Sequence, residues 1–261
     1  MKKRNTVVIF SLLLFAIGLL SATWKERRPT IYVIGDSTVK NGKGDGSNGQ
    51  WGWGSMLPVY FDTTRLSVEN RALGGTSTRT YLTKKLWEKV RNKLQEGDFL
   101  MIQFGHNDSS PLDDTARARG TLKGIGNESK EIYNPITKQR ETVHTYGWYL
   151  STFVKEAKAK GVKVIICSPI PRNQWEQNKV IRSVDSYGQW AEKVAKREKV
   201  GFIDLNRLVA DYYDQIGEKQ VNTFFVGDHT HTNLEGASKN AEIIAKTIEK
   251  LPNNKLKQYL K

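Results

Sequence analysis

Five short apolar runs recur along this chain, each followed closely by small polar or turn-forming residues. They are Ile31 to Ile34, Leu66 to Val68, Phe99 to Phe104, Val162 to Ser168 and Phe202 to Asp204. Runs of this length, rich in β-branched and aromatic residues and bounded by turn signals, read as buried strands. The stretches between them carry helical spacing. Thr80 to Gln95 sets Leu82, Leu86, Val90 and Leu94 on one face, and Met56 to Phe61 forms a shorter helical segment. Tyr146 to Lys160 ends at Gly161 as at a C-cap, and Asp185 to Lys199, Asn206 to Ile216 and Leu234 to Leu251 follow. Strands alternating with helices specify an α/β fold with a parallel sheet. The length beyond an amino-terminal leader fits one domain over 23–261.

In open α/β sheets ligands bind beyond the carboxyl ends of the strands, so the residues that follow each run are the ones to examine. The first run stops at Gly35-Asp36-Ser37-Thr38. Ser37 is there either a nucleophile or a helix cap. The second leads to Asn70-Arg71-Ala72-Leu73-Gly74-Gly75. Gly74 and Gly75 suit either a plain turn or a wall where a backbone amide meets an oxyanion without a Cβ in the way. The third ends at Gly105-His106-Asn107-Asp108. Asn107 either donates its amide to an oxyanion or closes an Asx-turn, and His106 is a pocket-lining candidate.

A serine nucleophile needs a base, and the histidines are His106, His144, His229 and His231. Gly227-Asp228-His229-Thr230-His231 puts a carboxylate three residues before an imidazole, close enough to fix its tautomer. Capping plus a surface histidine is the other reading of that spacing. Between Asn41 and Gly54 a glycine-rich loop carries Trp51 and Trp53, which either stack on a sugar or anchor the loop by packing. The segment after the fourth run, with Asn173 and Trp175, is a further candidate cleft wall. Ser109 to His144 lacks a clear period and reads as a long excursion over the sheet.

Residues 1–22 run from Lys2, Lys3 and Arg4 through an apolar stretch to Ser21 and Ala22. That is the layout of a secretory signal peptide cut near Ala22, and its apolar run is short for a membrane span. Such a leader implies an exported protein, periplasmic or secreted, of a bacterial kind. An uncleaved anchor is the alternative. Cys167 is the single cysteine, so no intrachain disulfide forms, and its apolar flanks make it a core residue. The formal charge is +14; without the leader's three basic residues it is +11. That excess favours a polyanionic partner. Nucleic acid has no motif to receive it here, which leaves acidic polysaccharide, the commoner partner of an exported chain, or a charge that only keeps the protein soluble.

Four segments in this order resemble the blocks of the SGNH, or GDSL-type, hydrolases. They are Gly35-Asp36-Ser37, Gly75, Gly105-His106-Asn107-Asp108 and Asp228-His229-Thr230-His231. Resemblance is greatest to the rhamnogalacturonan acetylesterase branch, and Asn70 to Tyr81, Glu141 to Leu150 and Ser168 to Glu176 share it. It implies a three-layer α/β/α sandwich with a flavodoxin-like, parallel five-stranded sheet. By this resemblance Ser37 is the nucleophile, His231 the base and Asp228 its orienting acid. The oxyanion donors are then the amides of Ser37 and Gly75 and the side chain of Asn107. Trp51, Trp53, His106, Asn173 and Trp175 stand as substrate contacts. No metal or other cofactor is needed, and the chain is expected to act as a monomer. The implied substrate is acetylated pectin, with acetylated xylan or another acetylated carbohydrate as the alternative and a lipid ester less suited to polar, glycine-rich loops. Two rivals are a metal-dependent phosphoesterase, because Asp36, Asn107, Asp228, His229 and His231 are ligand types, and a non-catalytic carbohydrate-binding protein.

Overall fold

The computed structural model describes residues 27–40 and 48–261. The leader, and residues 41–47 of the glycine-rich loop, lie outside the described residues. The chain enters on strand β1 (Thr30–Gly35), forms the short helix α1 (Trp53–Met56) and a 3₁₀ turn, and returns on β2 (Ser67–Asn70). Helices α2 (Thr78–Thr83) and α3 (Leu86–Arg91) lead to β3 (Phe99–Gln103), and an antiparallel hairpin follows, β4 (Ser129–Asn134) with β5 (Gln139–His144). Next come α4 (Tyr146–Lys158), β6 (Lys163–Cys167), a two-residue ribbon β7 (Trp175–Glu176) and β8 (Lys179–Val180), and α5 (Tyr187–Glu198). The chain closes through β9 (Gly201–Ile203), α6 (Leu205–Ile216), α7 (Glu218–Asn222) and α8 (Leu234–Lys250).

The central sheet has the order β2-β1-β3-β6-β9, and its pairings are parallel. Burial of both faces explains why β1 and β3 read as unbroken apolar runs. Alternation along β1 sends Ile31 and Val33 into one core, with Val209 of α6 and Ile244 of α8, and Tyr32 and Ile34 into the other, with Val90 of α3 and Phe153 of α4. Helices therefore cover the sheet on both sides, which is the three-layer sandwich expected.

Two expectations differ from the structure. The helix over Thr80 to Gln95 is two helices, broken at Lys84 and at Lys85, whose φ is 56°. Apolar spacing reports which residues face the core but not a left-handed residue that redirects the backbone between them. The excursion over Ser109 to His144 contains the β4–β5 hairpin. Its buried residues Ile132, Asn134 and Val143 share one face with Lys130, Gln139 and Glu141, so polar residues interrupt the face that turns inward and no apolar alternation marks it.

Candidate active site

The strand order supplies the reason for the site's position. From β1 the chain moves first to β2 on one side and then to β3 on the other, so the loops after β1 and β3 diverge and leave a crevice at their carboxyl ends. Ser37 follows β1 in a turn that only glycine at position 35 allows: a Cβ there would lie 2.5 Å from Val39 Cγ2 and 2.6 Å from the Gln103 carbonyl oxygen. Asp36 braces that turn from inside, its Oδ1 accepting from Thr38 N at 2.9 Å and Thr38 Oγ1 at 2.8 Å.

Ser37 Oγ lies 2.8 Å from His231 Nε2, although 194 residues separate them. On the far side of the ring, His231 Nδ1 lies 2.7 Å from Asp228 Oδ2. Asp228 Oδ1 accepts from the amides of Thr230 (2.7 Å) and His231 (2.8 Å), so one carboxylate shapes the loop and engages the ring. Partial burial opposes ionisation of Asp228, yet the bonds from His231 and Thr230 hold its carboxyl below the usual carboxylate range. With the carboxylate taking Nδ1–H, the lone pair of Nε2 faces the serine hydroxyl, the arrangement a general base requires.

N–H groups without a partner gather beside the serine. Among the described residues, neither the Ser37 nor the Gly75 amide has an acceptor within hydrogen-bond range. Gly75 adopts φ +78°, a left-handed conformation that glycine takes without strain. Asn107 Nδ2 spends one N–H on the Thr76 carbonyl at 2.8 Å and keeps a second. That bond ties the Asn107 loop to the Gly75 loop. Asp108 adds a second tie, its Oδ1 accepting from Thr78 N at 3.1 Å and Thr78 Oγ1 at 2.5 Å. Full burial pushes the Asp108 carboxyl up to about 7 despite those bonds.

The sequence profile of the GDSL-like lipase/acylhydrolase family matches residues 31–244, which takes in every residue just described. The chain belongs to that family. A rhamnogalacturonan acetylesterase of Emericella nidulans is 32% identical over 239 residues, 91% of each chain. The probable rhamnogalacturonan acetylesterase YesY of Bacillus subtilis is 29% identical over 85% of this chain and 93% of its own. The crystal structure of protein YXIM_BACsu from Bacillus subtilis superposes with a TM-score of 0.69 at 28% identity, covering 86% of this chain and 57% of that one. Membership and relatives together make this chain a carboxylic ester hydrolase.

Beneath the serine of this GDSL-like hydrolase runs a buried hydrogen-bond chain. Trp53 Nε1 donates to Gln103 Oε1 (2.8 Å), Gln103 Nε2 donates to Thr38 Oγ1 (2.6 Å), and Thr38 leads to Asp36. Asp36 Oδ2 in turn lies 3.3 Å from His106 Nδ1, whose Nε2 is 3.0 Å from the Ile170 carbonyl. Burial works against the Asp36 charge, but His106 and the Thr38 bonds outweigh it and lower its pKa. The reading of Trp53 as a sugar platform is thereby corrected: the ring is 0% exposed and its polar atom is spent on Gln103. Gln103 and Thr38 escaped the sequence reading, since a polar pair in an apolar strand end carries no motif.

Other candidates scatter. Trp51 is half-buried and pairs its backbone with Thr232, donating at 2.7 Å and accepting the Thr232 hydroxyl at 2.9 Å, which seats the glycine-rich segment against the His231 loop. Trp175 donates to Asn173 Oδ1 and Asn173 to Asn222 Oδ1, both at 2.7 Å, so this pair stitches its segment to α7 and does not line the cleft above Ser37. His229 faces Arg172 at 3.1 Å, and His144 stacks on Trp148 at 3.9 Å, both away from the serine. Cys167 is fully buried, and burial pushes its thiol up and out of use.

The cleft encloses about 930 Å³. Ser37, Gly75, His106, Asn107 and His231 line its floor, and residues of the 116–119 segment and the hairpin tip line its wall. Glu141 of the hairpin is gripped by Arg79, Nε at 2.7 Å and Nη2 at 2.6 Å. The Arg79 side chain is 0% exposed and also donates to the Leu112 and Gly120 carbonyls at 2.8 and 2.9 Å. A buried guanidinium thus fastens the wall to the Gly75 side of the floor.

Proposed function

We propose that this chain is a serine esterase that removes acetyl groups from acetylated pectic polysaccharide, acting outside the cytoplasm under the direction of its leader-like residues 1–22. One observation carries the chemistry: Ser37 Oγ, His231 and Asp228 form a continuous hydrogen-bonded line with contacts of 2.8 and 2.7 Å. Ser37 Oγ attacks the acetyl carbonyl carbon while His231 Nε2 takes its proton, and Asp228 supports the imidazolium. The amides of Ser37 and Gly75 and the second N–H of Asn107 receive the charge on the tetrahedral oxygen. Collapse breaks the bond to the sugar oxygen, which leaves with the proton from His231. Water, deprotonated by the same ring, then cleaves the acetyl-serine to acetate and free Ser37.

Pectin is favoured over a neutral polymer by the charge of the cleft. Lys84, Arg117, Arg119, Arg140 and Arg172 line it against one carboxylate, Glu141, which Arg79 already holds. The relatives named rhamnogalacturonan acetylesterase support the same choice. The test is acetate release by wild type and Ser37→Ala on acetylated rhamnogalacturonan, homogalacturonan and xylan. Activity greatest on rhamnogalacturonan, and about 10⁴-fold or more lower in the variant, is expected. Wild-type turnover in the variant would remove the nucleophile, and preference for xylan would remove the pectic substrate.

A further inference from the structure

Arg117 and Arg119 sit beside the oxyanion loop in an arrangement the hydrolytic chemistry does not use. A Cβ built on Gly75 would lie 3.8 Å from Nη1 of each of them, and one built on the preceding Gly74 would lie 3.6 Å from Ser37 Cβ. Two successive glycines therefore face the nucleophile and the two guanidiniums in turn. An anion held there belongs to the sugar that bears the ester or to its immediate neighbour.

The turn carrying these arginines is tightly set. Asp114 Oδ1 accepts from the amides of Ala116 (3.0 Å) and Arg117 (2.7 Å), and its Oδ2 from that of Ala118 (2.9 Å). Ala118 is 2% exposed with φ 42°, so the backbone between the two arginines is anchored in the left-handed region. Asp114 thus engages backbone amides and, among the described residues, forms no ion pair with either arginine. Among the described residues Arg117 makes no side-chain hydrogen bond or ion pair, while Arg119 uses Nε on Ser110 Oγ (3.1 Å) and Nη1 on the Gly75 carbonyl (3.1 Å). Five N–H groups of one guanidinium and three of the other are left to face the cleft. Burial, and then the Arg117 charge, lower the Arg119 pKa, a strain that a bound anion relieves.

We propose that Arg117 and Arg119 form a clamp for a uronate carboxylate of the polymer, registering the acetylated sugar over Ser37. The clamp rests on the pectic reading above and names the residues that would enforce it. Planar forks match a carboxylate through paired N–H bonds, which a lysine at either position could not reproduce. Arg119 has a second task, since its bond to the Gly75 carbonyl steadies an oxyanion donor. Arg117 has none, and it is the position that separates recognition from chemistry.

Two measurements on the full chain test this. The first compares kcat and KM of wild type, Arg117→Ala and Arg117→Lys on acetylated rhamnogalacturonan and on the same polymer after its carboxyl groups are reduced to alcohols. Arg117→Ala should raise KM on the acidic polymer by roughly tenfold or more, with a far smaller change on the reduced one, and Arg117→Lys should fall between. The second titrates an unacetylated oligogalacturonate into the Ser37→Ala protein with and without Arg117→Ala, at low and high salt. Binding that weakens by roughly tenfold on losing Arg117, and that fades with salt, is expected. Equal losses on both polymers, or oligogalacturonate binding indifferent to Arg117, would overturn the clamp while leaving the esterase intact. Arg117-dependent binding in a chain that releases no acetate from any pectin would do the reverse.

Discussion

The floor and the wall of the cleft are built on opposite plans. Floor residues find their partners inside the protein: Trp53, Gln103, Thr38, Asp36 and His106 pass hydrogen bonds along a buried line, and Asn107 and Asp108 lock two loops together. The wall does the contrary: among the described residues its cations have no carboxylate partner, and Glu141 is taken by Arg79. Saturated groups cannot adapt to a substrate, but they hold Ser37, His231 and Asn107 in one geometry, as the proposed chemistry requires. Arg119 and Arg172 each lend one bond to the floor, to the Gly75 carbonyl and the Thr230 hydroxyl, while the N–H groups left unpaired are free to choose what enters. Chemistry and specificity are thus carried by different residues, and they should fail separately.

The widest separation is expected at Asn107. Asn107→Ala removes the proposed oxyanion donor and the tie to Thr76 in one step. It should lower kcat by about 10²–10³-fold, or roughly 3–4 kcal/mol of barrier. The loss should be the same on acetylated polymer and on 4-nitrophenyl acetate, because the donor meets the oxyanion and not the sugar. A loss confined to the polymer in steady-state assays would place Asn107 with the wall.

Glu141 tests the wall from the other direction. Removing it in Glu141→Ala leaves Arg79, whose side chain is 0% exposed, with only the Leu112 and Gly120 carbonyls. An uncompensated buried charge costs about 3 kcal/mol, read as a fall in stability by urea denaturation. The loosened hairpin should raise KM on polymer well before it alters turnover of a small acetate ester. If kcat on the small ester fell first, the hairpin would be part of the catalytic geometry.

The same division explains what the sequence disclosed. Ser37, Asp228, His231, Gly75 and Asn107 stand out because reactive residue types interrupt apolar runs at strand ends, where the parallel sheet opens. The wall was hidden. The inward face of its hairpin mixes Ile132 and Val143 with Lys130, Asn134, Gln139 and Glu141, so no apolar period betrays it, and its anchor joins Arg79 to Glu141 across 62 residues with nothing local to pair them. Lys84 reaches the cleft through the break between α2 and α3, which apolar spacing passes over. Trp53 was ambiguous for another reason: an indole between glycines can turn inward or outward, and only the polar partner Gln103, 50 residues on, decides it.

That partner gives the smallest effect and the strictest test of the floor as a passive frame. Trp53→Phe keeps an aromatic ring in a site with 0% exposure but withdraws the N–H that Gln103 Oε1 accepts. A single neutral hydrogen bond is worth about 1 kcal/mol, and the stranded amide oxygen adds a share of its own. Stability should therefore drop by about 1–2 kcal/mol in chemical denaturation. Gln103 still donates to Thr38, and Thr38 still braces Asp36, so the serine turn is held from its nearer side. Turnover should consequently stay close to wild type on every ester. A loss of kcat much larger than the loss of stability would mean that the buried line transmits its geometry to Ser37 link by link, and that the floor acts on the reaction instead of merely supporting it.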